Sequence, residues 1–370
     1  KAFGNEIHAI GKTICGNHKF GVKIRVITDG KVEAKNGELF VSDTNEFTVL
    51  INIGTEFRLG EDFLDKIDFP SRVEYDMLKL RHEKDFLSVM NRADIEIPQA
   101  PEMEEVSMTV RKRALTCNRP NDGGLVMMIW QFGRYLLASS SRPGTLPANL
   151  QGIWNAKNDP PWCCDYHFNV NVQMNYWPAY VANLAETALP YIDFVDSLRK
   201  PGRIIAAKTL GIGEFDGDEV NYEKPTGWMI HTMVTPLGFV GPGSSWRWGW
   251  APTNGAWALQ NCFDYYLYTG DIKKLKKDIY PAMEECALLW TKLLHEDKKT
   301  GRLVCSPGYS PEHGPVSQGN TYDQSIIYNL YEDLLLAAAA LENGGYGSAT
   351  CIPILSKVLA ACKDEIDGVG

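Results

Sequence analysis

From Glu6 to Phe57 the chain alternates short β-rich runs, KFGVKIRVIT, KVEAKN, ELFVSD and EFTVLINIG, with turn dipeptides at Asp29-Gly30 and Asn36-Gly37. This pattern predicts antiparallel hairpins. The strands are fewer than a free-standing sandwich needs, so residues 1–60 are expected to form the C-terminal part of a β-sandwich whose other strands lie upstream. Between Phe69 and Pro98, apolar positions at Met77, Leu78, Leu80, Phe86, Leu87 and Met90 predict a helix riding on its neighbours. The polar PQAPEMEEVSM that follows reads as a loop, which makes 61–121 a helical linker. After Asp122 the periodicity is helical throughout, over Gly124–Ser140, Met174–Leu184, Leu189–Arg199, Arg203–Leu210, Asn254–Thr269, Tyr280–Leu294, Tyr322–Leu341 and Ile352–Lys363. Thr321 with Gln324 reads as a capping box, and Gly270 as a helix stop. Paired helices with irregular functional loops predict an α/α toroid over residues 122–370. A six-pair ring needs about twelve helices, so the toroid is expected to be incomplete.

Composition narrows the function. At 370 residues the chain exceeds the size at which one core keeps growing, and two or three folding units are expected. A formal charge of −9 without a basic stripe argues against nucleic acid and for a neutral or cationic ligand. No apolar run is long enough to span a bilayer, so membrane insertion is not expected. Nine cysteines show neither a CxxC pair nor metal-type spacing, so free thiols and no metal or other cofactor are expected. The chain opens at Lys1 without Met or a leader, as a processed or truncated piece would, and leaves compartment and oligomeric state open.

Candidate chemistry concentrates between Leu146 and Leu184, where three Trp, a His, seven Asn and two Asp stand among Gly and Pro turns. Indole rings stack on the apolar faces of pyranoses while amides and carboxylates orient hydroxyls, so this density reads as the wall of a sugar site. In DYHFNVNVQMNYWP, Asp165, His167, Asn169 and Asn171 recur at period two and in extended conformation face one side. Such a row can hold a water, although a neutral amide is a poor base unless a carboxylate polarises it; turn and cap bonding by Asn is the commoner use. Glu312 lies in the Gly/Pro/Ser loop LVCSPGYSPEHGPVSQG, which can aim a carboxyl into a cleft as a general acid or leave it solvated. Eight Trp crowd the middle third, Trp154, Trp162, Trp177, Trp228, Trp246, Trp248, Trp250 and Trp257; the alternation in SSWRWGW exceeds what packing asks for. His231 is a further candidate for substrate, while Asp323 in the first turn after the Glu312 loop reads as a helix-terminal carboxylate. No nucleotide fingerprint, GxSxG or HExxH occurs.

At these residues the chain resembles glycoside hydrolase family 95, inverting α-L-fucosidases that act mainly on α-1,2-linked fucose, with some members preferring α-L-galactose. SSSRPGTLPANLQGIWN, DYHFNVNVQMNYWPAYVANLAE, WAPTNGAWALQ, YYLYTGD and LVCSPGYSPE look like family segments in family order, from about Phe132 to Asp333. The resemblance implies a β-sandwich, a helical linker and an (α/α)6 barrel, then a C-terminal β-domain not found in this chain. It implies Glu312 as general acid, Asn169 and Asn171 as holders of the attacking water, and His167 as a sugar contact. Trp154, Trp177, His231 and Trp248 are assigned to substrate from their residue types and setting in the sequence. The Asp that assists the water belongs to a region downstream of Glu312, and no matching segment occurs before Gly370. Cys163-Cys164, and Tyr180 where the family often has Glu, depart from the pattern. The expectation is an exo-acting inverting glycosidase releasing terminal α-L-fucose from oligosaccharides or glycans, with acid and water-holding groups roughly 6.5 to 9.5 Å apart. The alternatives are an α-L-galactosidase, a phosphorolytic or lyase-type carbohydrate enzyme, and an inactive carbohydrate-binding remnant.

Overall fold

The computed structural model describes residues 1–341 except Cys15, Ala100, 104–105 and 112–121, so the helix expected at Ile352–Lys363 lies outside the described residues. Two compact units divide at Ser88 and Val89.

In the first unit, strands β1 (Ala2–Phe3), β2 (Glu6–Lys12), β3 (Lys19–Ile27) and β6 (Thr48–Thr55) form an antiparallel sheet in the order β1-β2-β3-β6. Gly21 of β3 and Gly54 of β6 are register partners. A Cβ at Gly21 would lie 2.9 Å from Leu64, and one at Gly54 2.6 Å from Ile67. The paired glycines therefore form the seat for the short helix Phe63–Lys66, whose Phe63 is buried, as is neighbouring Ile67. On β6, alternate residues Val49, Ile51 and Ile53 are exposed. Strands β4 (Lys31–Lys35) and β5 (Glu38–Ser42) pair with Lys35 opposite Glu38, across the expected Asn36-Gly37 turn. Both turn residues have positive φ, 54° and 83°, as a two-residue hairpin turn requires. Asp29-Gly30 does not close a hairpin: β3 pairs with β2 and β6. Gly30 instead serves a close crossing, where a Cβ would meet the Ser42 carbonyl at 2.3 Å. The helix expected between Phe69 and Pro98 is found as α1 (Tyr75–Met90), in which Val89 alone is buried.

The second unit is helical. Its long helices among the described residues are α2 (Gly123–Ser140), α3 (Asn171–Val181), α4 (Leu189–Ser197), α5 (Arg199–Leu210), α6 (Asn254–Thr269), α7 (Tyr280–Leu293) and α8 (Thr321–Ala340). They follow the predicted periodic segments, because one apolar stripe of each is buried in a common core containing Phe168, Val172, Tyr176, Tyr191, Trp228, Met283, Trp290, Tyr331 and Leu334. Several core aromatics have a partnered polar end. Tyr191 Oη donates to the Ala258 carbonyl at 2.9 Å and Tyr331 Oη to Ala287 at 3.0 Å, tying helix to helix, and Trp228 Nε1 donates to Ala282 of α7 at 3.0 Å. Buried Glu285 of α7 receives Arg199 at 2.7 Å and Arg203 at 2.8 Å from α5, a paired ionic contact that keeps its charge compensated. Helix α6 ends at Gly270, with φ 68°, as predicted. Helix α8 starts differently. Its cap is Asn320, whose side chain accepts from Asp323 N, while Gln324 accepts from Cys305 N at 2.9 Å and donates to the Leu303 carbonyl at 3.1 Å. The Thr321/Gln324 capping box is not formed, because Gln324 is committed to the strand that precedes the Glu312 loop.

Candidate active site

Strand β7 (Tyr166–His167) pairs antiparallel with β8 (Met233–Val234), His167 opposite Met233. Phe168 N extends the pairing to the Thr232 carbonyl at 2.7 Å, and the buried Phe168 ring anchors the segment in the core. The extended row stops there. Residues 168–170 turn, and Asn171 is the exposed first residue of α3. The period-two row expected through Asn171 is therefore overturned beyond His167. Val172, Gln173, Tyr176, Ala179 and Tyr180 are the buried face of α3, and that helical spacing outweighs the alternation of the polar residues before it.

The turn brings Asn169 to the Glu312 loop. Asn169 Nδ2 donates to Glu312 Oε1 at 3.4 Å, a long hydrogen bond between residues 143 apart in sequence. This is much closer than the spacing expected between acid and water-holding groups. That spacing belongs to two carboxyl groups, whereas a neutral amide can approach a carboxylate directly. Beside it, His167 Nε2 stands 2.8 Å from Asp165 Oδ1 without the alignment of a hydrogen bond. Among the described residues, the buried side-chain polar atoms with no hydrogen-bond partner include Asp165 Oδ1 and His167 Nε2, which face each other, and Asn169 Oδ1, Gln173 Oε1, His231 Nε2, Thr232 Oγ1 and Asn254 Nδ2. Native interiors leave few such atoms, so the unpaired Asn169 Oδ1, on the residue that contacts Glu312, marks a place for a polar ligand or water.

The loop from Cys305 to Asn320 that carries Glu312 is laced to its surroundings. Gly308 and Ser317 exchange backbone hydrogen bonds at 2.8 and 2.9 Å, and Gly319 N reaches the Cys305 carbonyl at 2.9 Å. Tyr309 Oη donates to the Glu312 carbonyl at 3.1 Å. Trp250 Nε1 donates to the Pro307 carbonyl at 3.4 Å, which joins the SSWRWGW segment to the same loop. Within that segment Trp246 stacks on buried Trp250 with ring centroids 4.0 Å apart, and Trp248 is exposed.

His231 is fully buried against Trp250, with ring centroids 4.8 Å apart. Its Nδ1 accepts from Ala251 N at 3.2 Å, which leaves the ring proton on the unpaired Nε2. Burial lowers its pKa to about 3, so the imidazole is neutral in the working range. Trp177 is exposed on α3. Trp154 is exposed too, and lines a pocket of about 350 Å³ with Asn149, Gln151, Met174 and Asn175, a pocket whose lining includes neither Asn169 nor Glu312. The structure thus brings Asn169 and Glu312 together, with Asp165 and His167 on the adjoining strand. It links Trp250 and His231 to the Glu312 loop, and sets Trp154 in a separate hollow. Sequence reasoning passed over Tyr309, Asn320, Thr232 and Asn254. The only sequence signal for any of them was Asn320 standing immediately before the helix. Among the described residues no group of three or more His, Cys, Asp or Glu is placed to hold a metal ion, and no helix is long and apolar enough to cross a membrane.

On this helix-rich scaffold the structure thus sets a loop carboxyl against an amide-bearing turn. Residues 74–359 match the Glycosyl hydrolase family 95 catalytic domain, and the chain belongs to that family. It is 30% identical over 365 residues to Alpha-L-fucosidase 2 of Arabidopsis thaliana, covering 92% of this chain and 41% of that protein. It is 30% identical over 271 residues to Probable alpha-fucosidase A of Aspergillus niger, covering 72% of this chain and 32% of the relative. The chain therefore spans less than half the length of these relatives. A solved structure described as "Putative kojibiose phosphorylase from human microbiome" shares the fold, with a TM-score of 0.61 at 13% identity over 98% of this chain and 46% of that one.

Proposed function

We propose that this chain carries the acid and water-binding half of an exo-acting, inverting α-L-fucosidase, built on part of an (α/α)6 toroid over residues 122–370, with a helical linker over 61–121 and part of a β-sandwich over 1–60. The observation that carries the reading is the contact of Asn169 with Glu312, 143 residues further along the chain. Glu312 gives its proton to the glycosidic oxygen as that bond breaks. A water held by Asn169 and Asn171 attacks the anomeric carbon from the opposite face and passes its proton to a carboxylate base. In the unliganded site Asn169 donates to Glu312, and substrate binding replaces that contact. His167, Trp177 and Trp248 offer surface to the sugar. Trp154 does so from the neighbouring hollow, while the fully buried His231 contributes its unpaired Nε2 proton and no surface. The substrate is a fucosylated oligosaccharide or glycan with an α-1,2 linkage.

The test is hydrolysis of 2'-fucosyllactose by the whole protein, with NMR of the first anomer released. β-L-Fucose is expected, and α-L-fucose as the first product overturns inversion. Glu312→Gln is expected to abolish release while leaving binding of the oligosaccharide measurable. A parallel assay with the α-L-galactoside sets the preference at the sugar's C5 substituent, and a requirement for phosphate redirects the assignment to phosphorolysis.

A further inference from the structure

Asp323 is fully buried in the first turn of α8 but does not cap it. Capping of α8 is already done by Asn320, whose Oδ1 accepts from Asp323 N at 2.9 Å. The Asp323 carboxylate is spent on other donors: Thr253 Oγ1 at 2.7 Å, Asn320 Nδ2 at 2.7 Å and Tyr309 N at 3.2 Å. None of the three is a cation, and burial raises the Asp323 pKa as its largest effect. A buried carboxylate facing only neutral donors is costly, and a core that needed nothing but packing at this position would be served by an apolar side chain.

What the carboxylate holds is the base of the Glu312 loop. Gly308 is seated so tightly on it that a Cβ there would lie 2.6 Å from Asp323 Oδ2 and 2.3 Å from Asn320 Nδ2. Tyr309 is fixed at its backbone by Asp323, and its hydroxyl donates to the Glu312 carbonyl at 3.1 Å. Two hydrogen bonds therefore connect Asp323 to the backbone of Glu312. Thr253, which stands at the start of α6, pins the other carboxylate oxygen.

We propose that Asp323 is a positioning residue for the reaction, acting through Tyr309 to hold Glu312 where it can protonate the leaving group. The proposal rests on Glu312 being the general acid. It implies that loss of Asp323 weakens proton delivery more than it weakens sugar binding.

The experiment compares kcat and KM on two substrates of the whole protein: 2'-fucosyllactose, whose sugar leaving group needs a proton, and a dinitrophenyl α-L-fucoside, whose leaving group does not. Asp323→Asn is expected to lower kcat on the oligosaccharide by about 10²-fold, within the range a positioned general acid supplies. The dinitrophenyl glycoside should lose less than about a tenth of that factor, with little change in KM on either. Equal loss on both substrates, or no loss on either, overturns the proposal. Tyr309→Phe keeps the ring and removes only the hydroxyl bonded to Glu312. It should show the same selectivity at smaller amplitude, and it decides the matter by the same criteria where Asp323→Asn does not fold. Glu312→Gln run alongside separates the two ideas. If it spares the dinitrophenyl glycoside and Asp323→Asn does not, only the positioning role fails; if it shows no selectivity, the assignment of the acid fails.

Discussion

At the scale of single residues, the site is built from groups whose neighbours leave something undone. Asn169 uses its Nδ2 on Glu312 and leaves its Oδ1 buried without a partner. An acceptor in that position can accept a hydrogen bond from a bound water and orient it. Asn169→Ala is expected to lower kcat about 10²-fold, the usual effect of removing one aligned polar group from a transition state. Its melting temperature should be little altered, since a long bond to a half-buried carboxylate contributes little to folding. Steady-state kinetics with a thermal melt checks both. Candidate residue types were legible in the sequence because Trp, Asn and His at such density serve no packing need. Partnerships were not: the contact of residue 169 with residue 312 depends on how a turn and a loop from distant parts of the chain meet.

At the scale of elements, the Glu312 loop is the one whose shape matters most. Gly308 has no positive φ, so its requirement is space and not conformation, and the atoms that crowd it are those that position Tyr309. Gly308→Ala is expected to displace Asn320 and Asp323, lower the melting temperature and reduce turnover together, measurable by calorimetry and by release of free sugar. Helix α8 also shows how local signals mislead. Both Asn320 and Thr321 are good caps, and the choice between them was made by Gln324, which turns toward Cys305 and Leu303 and closes no box with Thr321. The row of polar residues from Asp165 to Asn171 was cut in the same way, by the buried face of α3.

Across the whole molecule, charge is buried unevenly. Asp333 on α8 has its pKa raised to about 7 by burial, with Asp264 of α6 and Glu332 adding like charge. The folded state therefore keeps this proton up to about pH 7, whereas the unfolded chain releases it near the ordinary value of 3.8. The favourable contribution of the protonated form is complete below that value and is lost as pH rises through about 7. Asp333→Asn should accordingly flatten the fall in melting temperature between about pH 4 and 7, seen in a series of thermal melts. An unchanged slope would show that the group is not held protonated.

The sequence by itself determined the antiparallel β character of the first sixty or so residues, the approximate positions of the long helices between Asp122 and Leu341, and the residue types of the candidate site. Each of these follows from periodicity or side-chain chemistry acting within a few residues. Only the tertiary structure decided that Asn169 faces Glu312, that Asp323 is spent on Tyr309 instead of on a helix end, and that Trp154 lies in a hollow apart from both. Those outcomes turn on which buried polar groups find partners across the core, a competition among segments far apart in the chain that local pattern does not encode.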